Sequence, residues 1–232
     1  MGSIGKSEPV FLVVTGAWHP PACYEPLKTD LISLGYECII PHMPSMGHGT
    51  NGVTWEADKA KIIEEATSYF DQGREVILVA HSYGGVPATV ATEGQGTQER
   101  AARGLKGGFN SIIFVAAFAV PVRGWDLLTT FDGAWPDWHD TCESYTKLPH
   151  SQDAFETGIS FIASDIVIPK TYLLCENDLV FPLSLQEALV KGTPAMQEER
   201  IAAGHSPFRG KSEELARKLI GISQKAGSAQ AA

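Results

Sequence analysis

Apolar residues fall along the chain in two alternating rhythms: short unbroken runs, and longer stretches with an apolar position every three or four residues. Pro9 to Thr15 (Pro-Val-Phe-Leu-Val-Val-Thr) is an unbroken run of strand length, as expected of a strand buried on both faces of a parallel sheet. Tyr24 to Leu34 carries Tyr24, Leu27, Leu31 and Leu34 at helical spacing and stops at Gly35, which predicts a helix with a glycine cap. Tyr36 to Ile40 is a short strand cut off by Pro41, and Pro41 to Thr54 is a loop rich in proline, glycine and histidine. Trp55 to Phe70 is an amphipathic helix with Ile62, Ile63, Ala66 and Phe70 on one side. Val76 to Ala80 is a strand, Val86 to Thr92 a helix, Glu93 to Gly108 a polar connection, and Ser111 to Phe118 another buried strand. Strand, helix, strand in this order implies right-handed crossovers and a parallel sheet with helices on both faces.

From Val122 to about Ser164 the rhythm is lost. Aromatic, acidic and histidine residues crowd together (Trp125, Phe131, Trp135, Trp138, His139, Tyr145, His150, Phe155), and so long a stretch without clear elements reads as a functional excursion that caps a site. The alternation then resumes with a strand at Val167 to Cys175, a helix at Leu183 to Lys191, a strand at Gln197 to Ala202 and a closing helix at Ser212 to Gln224; a loose tail is expected from Ala226. The expected architecture is α/β, a single domain over residues 1–232, with a cap at about 122–164 between the strand ending near Phe118 and the strand ending at Cys175.

The stretch His81-Ser82-Tyr83-Gly84-Gly85 sits between a strand and a helix. With Ala80 and Gly84 two residues either side of Ser82, it has the small neighbours a sharp strand-to-helix turn requires. Read alone, the turn leaves two roles open for Ser82: a nucleophile at the apex, or a cap on the helix that follows. Two later strand ends bear on the choice, because a serine needs a base to take its proton and the base needs an acid to orient it. Glu176-Asn177-Asp178 follows the strand ending at Cys175, and Gly204-His205 follows the last strand. Parallel strands end on one edge, so Ser82, Asp178 and His205 can meet there, with Glu176 a second candidate for the acid.

With Gly16-Ala17-Trp18 after the first strand, Ala80-His81-Ser82-Tyr83-Gly84-Gly85 at the turn, Asp178 followed by Pro182, and Gly204-His205, the chain resembles an α/β-hydrolase of the compact branch that includes plant methyl esterases and hydroxynitrile lyases. The resemblance runs from Phe11 to Leu219. It implies about six parallel strands, a nucleophilic Ser82, His205 as general base, Asp178 as its orienting acid, and an oxyanion hole made by the backbone N–H groups of Ala17 and Tyr83. It implies serine esterase or lactonase chemistry on a small-molecule ester or lactone, through an acyl-enzyme and without a cofactor or metal. His81 becomes a packing and hydrogen-bonding neighbour of the nucleophile, and with Trp18, Trp135, Trp138 and Phe208 it is a candidate for lining the substrate pocket. Three departures stand out: too few residues precede the first strand for the extra strands of many relatives, Thr15 stands where many have histidine, and the cap is short. Ser206 occupies the place where hydroxynitrile lyases carry lysine, which argues against cyanohydrin cleavage. Other lyase, isomerase or cyclase chemistry on a natural product, or a ligand receptor on the same fold, remain the alternatives.

Composition narrows the partners. A hydrophobic content of 44%, a charged content of 19% and a formal net charge of -9 describe a globular protein repelled by nucleic acid and anionic membranes. Cys23, Cys38, Cys142 and Cys175 show no C-x-x-C spacing and read as free thiols; with no signal-peptide or lipidation pattern, the expected setting is cytoplasmic, as a monomer or homodimer. His42, His48, His139 and His150 lack metal-site spacing and are expected to be solvated loop residues.

Overall fold

A computed structural model describes residues 8–131, 133 and 148–231. Trp135, Trp138, His139, Cys142 and Tyr145 lie outside the described residues. Among those described, six strands form one sheet: β1 (Val10–Val14), β2 (Cys38–Ile39), β3 (Glu75–His81), β4 (Gly108–Val115), β5 (Lys170–Cys175) and β6 (Met196–Ile201). Their order is β2-β1-β3-β4-β5-β6 and every neighbouring pair is parallel, the open sheet that the apolar runs predict.

Side chains of successive strand residues point to opposite faces, so each central strand feeds two cores. Val10, Leu12 and Val14 of β1 with Val76, Leu78 and Ala80 of β3 pack towards α2 (Trp55–Phe70) and α3 (Gly85–Ala91), meeting Ile62, Ala66, Phe70 and Val86. Phe11, Val13, Ile77 and Val79 pack on the other face against α1 (Glu25–Ser33) and the closing helix, meeting Leu27, Leu31, Leu215 and Leu219. Each such side chain taken fully out of water contributes about 1.5–3 kcal/mol. The α2 helix begins where the sequence predicts, because the Thr54 hydroxyl accepts the Glu56 N–H and caps its first turn.

The structure departs from the sequence reading in places where a polar residue does a buried job or an apolar pattern stops early. Within the connection at 93–108 lies a helix, α4 (Thr97–Ala102), whose inward-facing residue is Arg100: its guanidinium lies 4.5 Å from the Phe70 ring centroid and donates to Lys106 O. The fourth strand starts at Gly108 rather than Ser111. In the excursion, two arms pair through Ile159 N–H to Trp125 O and Leu127 N–H to Phe155 O, around a helical turn, α5 (Asp153–Glu156). Helix α6 (Leu183–Gly192) precedes the edge strand β6, and helix α7 runs Ser212–Ala231, past the expected end at Gln224, because the alanine, lysine and glutamine residues of the tail favour helix and carry it past Gly227. Cys23, Cys38 and Cys175 are free thiols; burial pushes the last two up to about 12, so they stay protonated and inert. Among the described residues no helix is long and apolar enough to cross a membrane.

The sheet order reverses at β1, whose neighbours are β2 on one side and β3 on the other. In open parallel sheets the crevice beyond such a reversal, at the carboxyl ends of the strands, is where ligands bind. The register pairs Val14 with Ala80 and Ala80 with Phe114, which brings the loop after β1 beside the turn after β3. Cys175 pairs with Ile201, bringing the ends of β5 and β6 to the same edge.

Candidate active site

At the end of β3 the backbone turns so sharply that Ser82 takes a φ of 51°, a left-handed conformation that a non-glycine residue rarely adopts. Strain of this kind costs on the order of 1–3 kcal/mol and persists only where the surroundings hold it. Here the Ser82 carbonyl accepts the Phe118 N–H at 3.0 Å, and Gly84 lies so close to β1 that a Cβ there would stand 2.5 Å from Val14 O. Ala80, fully buried between β1 and β4, shows that a methyl group is accommodated two residues before the serine.

The strand ends bring three side chains together. Ser82 Oγ lies 3.0 Å from His205 Nε2, and His205 Nδ1 lies 2.7 Å from Asp178 Oδ2. The other carboxylate oxygen of Asp178 accepts the N–H groups of Val180 and Phe181, both at 2.8 Å, so this acid is fixed by its own loop. Glu176, the other candidate for the acid, is exposed to solvent. A carboxylate is an acceptor only; the Nδ1–H of His205 therefore donates to Asp178 and Nε2 is left to accept the Ser82 hydroxyl proton.

Behind this row lies a second histidine. His81 is buried, with Nε2 2.8 Å from His205 O and Nδ1 2.8 Å from Tyr24 Oη, and Tyr24 Oη accepts the Gly16 N–H at 2.8 Å. Burial, reinforced by the charges of His205 and His19, holds the His81 imidazole well below the usual histidine range, so it is neutral. Gly16 opens the loop that carries Ala17 and Trp18; the loop turns through His19 N–H to Gly16 O, and Trp18 has a φ of 59°. His19 closes the other side, with Nδ1 2.8 Å from Ala17 O and Nε2 3.3 Å from Ser206 Oγ, and burial lowers its pKa.

The remaining predicted residues divide. Trp18 is buried and stacks on Phe155 at 5.6 Å. The Tyr83 ring is also buried, 4.4 Å from His150 and 5.3 Å from Phe155, with its hydroxyl donating to Asp58 Oδ2 at 2.6 Å. Phe208, expected beside the substrate, lies instead in the second core, stacked on Tyr24 at 4.0 Å with its edge towards His81.

His150, expected in solvent, is drawn into this wall. Its Nε2 lies 3.0 Å from Ser45 Oγ, which donates to Asp58 Oδ2, and burial pushes its pKa down to about 4. The same burial raises the Asp58 pKa against three hydrogen bonds that oppose it. His42 and His48 are exposed, as expected. Sequence reasoning missed Tyr24, Ser45, Asp58 and His150, whose partners come from far along the chain. The signal was present only for Asp58, an acid at a helical position that otherwise faces the core with Ile62 and Ala66.

The fold has counterparts among known proteins. The model of the "Alpha/beta hydrolase family" matches residues 11–218. "Alpha/beta hydrolase nvfD" from Aspergillus novofumigatus is 26% identical over 228 residues, covering 86% of this chain and 90% of that protein. "Carbendazim hydrolyzing esterase" from Nocardioides is 30% identical over 132 residues, covering 54% of this chain and 48% of its own length. Among solved structures, a methylesterase protein, MES16, from Arabidopsis superposes with a TM-score of 0.70 at 21% identity, covering 94% of this chain and 99% of that one. A pyrethroid hydrolase, PytH, gives a TM-score of 0.72 at 16% identity, covering 93% and 98%.

Proposed function

The chain belongs to the alpha/beta hydrolase family, and from that premise we propose that it is a serine hydrolase cleaving a small carboxylic ester or lactone through an acyl-enzyme. The observation that carries this reading is the hydrogen-bonded row from Ser82 Oγ through His205 to Asp178, 3.0 and 2.7 Å, ending on a strained serine at the strand-reversal crevice. The names borne by the relatives, an esterase and a methylesterase among them, support an ester as the substrate class.

In the first half-reaction Ser82 Oγ attacks the ester carbonyl carbon while His205 Nε2 takes the hydroxyl proton. Asp178 holds the imidazole in the tautomer that can accept, and stabilises the imidazolium that results. The N–H groups of Ala17 and Tyr83, on either side of the strand-reversal crevice, hold the tetrahedral oxyanion. Collapse expels the alcohol with the proton from His205 and leaves the acyl group on Ser82. A water deprotonated by His205 then attacks the acyl carbon, and the second collapse returns the proton to Ser82 and frees the acid. Each step uses only groups of the chain and water.

Ester hydrolysis by the parent protein and by Ser82→Ala tests the reading. The expected outcome is loss of turnover of a p-nitrophenyl ester to the background of the bare oxyanion site. A variant that hydrolyses the ester as fast as the parent overturns the assignment of the nucleophile.

A further inference from the structure

We propose that Tyr24 and His81 are positioning residues: a buried relay, Gly16 N–H to Tyr24 Oη–H to His81 to His205 carbonyl, that sets the loop carrying the Ala17 N–H at a fixed distance from the catalytic histidine. This inference rests on the serine-hydrolase reading and adds to it two residues that touch neither substrate nor reacting atoms.

Donor and acceptor chemistry fixes the direction of every link. The His205 carbonyl oxygen can only accept, so His81 Nε2, 2.8 Å away, carries the hydrogen. A neutral imidazole has one N–H, which leaves Nδ1 a lone pair, and the group 2.8 Å from it is the Tyr24 hydroxyl, which donates. That hydroxyl has a lone pair for the Gly16 N–H, also at 2.8 Å. Backbone of the loop after β1 is thus tied to backbone of the loop after β6 through two side chains that are themselves immobilised. The Tyr24 ring stacks on Phe208 at 4.0 Å, and the His81 ring is edge-on to Phe208 at 5.1 Å and to His19 at 5.6 Å.

Contact closes the arrangement from the other side. A Cβ on Gly16 would stand 2.6 Å from His81 Nδ1 and 3.0 Å from the Ser82 Cβ, so the loop lies directly on both the relay and the nucleophile. Among the described residues, Thr15 Oγ1 just before Gly16 is buried without a hydrogen-bond partner. An oxyanion donor works only when it is held where charge develops, and displacement of the donor is paid in the transition state rather than in substrate binding.

The test uses Tyr24→Phe, which keeps the stacked ring and removes only the hydroxyl, beside His81→Gln, His81→Leu and a control, Tyr36→Phe, whose hydroxyl accepts from Gln224 in the same core. Removing an oxyanion donor outright costs about 100- to 1,000-fold in kcat, so a donor merely loosened is expected to cost Tyr24→Phe about 10- to 100-fold, with KM within about twofold. Inhibition by a boronic acid, which forms a tetrahedral adduct, weakens by the same factor as kcat/KM. His81→Gln, which keeps an N–H for the His205 carbonyl, retains more kcat than His81→Leu, and Tyr36→Phe matches the parent. Amide hydrogen exchange at Gly16 accelerates in Tyr24→Phe, a readout that needs no turnover. Unchanged kcat and unchanged Gly16 exchange in Tyr24→Phe, or equal losses in Tyr24→Phe and Tyr36→Phe, overturn the relay. A parent without Ser82-dependent turnover instead refutes the hydrolase reading, and the Gly16 exchange rate then decides by itself whether the relay holds the loop.

Discussion

Acid should open the seam between the excursion and the body of the protein at His150. Its ring is neutral and packed against Tyr83 and Phe155, with a pKa of about 4 in place of the ordinary 6.5. A depressed histidine pKa means that the unfolded chain binds the proton more tightly. Stability is therefore full above pH 6.5 and is lost as pH falls from there towards 4. For one group with these two values the loss between neutral pH and about pH 4.5 is roughly 2–3 kcal/mol, a large part of the margin by which most domains are folded. His81 and His19 are depressed by burial as well and add to the acid sensitivity in the same direction, so His150 must be isolated by difference. Urea unfolding followed by tryptophan fluorescence, on the parent and on His150→Gln at both pH values, does this. The variant lacks the titrating ring and keeps a polar group for Ser45. The loss on acidification should be about 2 kcal/mol smaller in His150→Gln than in the parent. Equal losses in the two proteins would refute the placement of a neutral, half-buried imidazole in this wall.

Two other changes probe the turn and the acid. Asp178→Asn keeps a carbonyl oxygen for the Val180 and Phe181 N–H groups but turns an amide N–H towards His205 Nδ1, which forces the wrong tautomer; kcat for ester hydrolysis should fall by about 1,000- to 10,000-fold with an unchanged circular dichroism spectrum. Gly84→Ala drives a methyl group into the Val14 and Thr15 carbonyls, backbone that cannot move aside, and should cost about 2–4 kcal/mol in thermal or urea unfolding where Ala at an open surface glycine costs none.

How much of this was legible in the sequence depends on how far apart the partners lie. The strands β1 and β3 were legible because burial on both faces demands continuous apolar runs, and α2 because its cap and its stripe are both local; β5 begins at Lys170 rather than Val167 and buries Lys170 and Thr171. That Ser82, Asp178 and His205 could meet was legible from topology, since each follows a parallel strand, whereas the choice of Asp178 over Glu176 and of a nucleophile over a helix cap rested on the resemblance to the hydrolase family. Helix α4 was hidden because the residue it buries is Arg100, whose stem and guanidinium cover Phe70 in the way an apolar side chain would. Ser45 and His150, and Tyr24 and His81, meet only through the tertiary fold, so no local pattern marks them. Phe208 was a candidate for the pocket lining, an aromatic that could equally have been core, and the short helical turn Pro207–Arg209 sets it inward onto Tyr24.

The proposed reaction requires Ser82 to be a nucleophile made reactive by His205 and Asp178. Mass spectrometry after treatment with a fluorophosphonate tests it most directly, because the reagent bonds covalently to a hydroxyl only where a base takes the proton and donors hold the oxyanion. A single phosphonyl adduct is expected on the peptide containing Ser82 in the parent and none in Ser82→Ala. An unmodified Ser82, or an adduct that persists in Ser82→Ala, would contradict it.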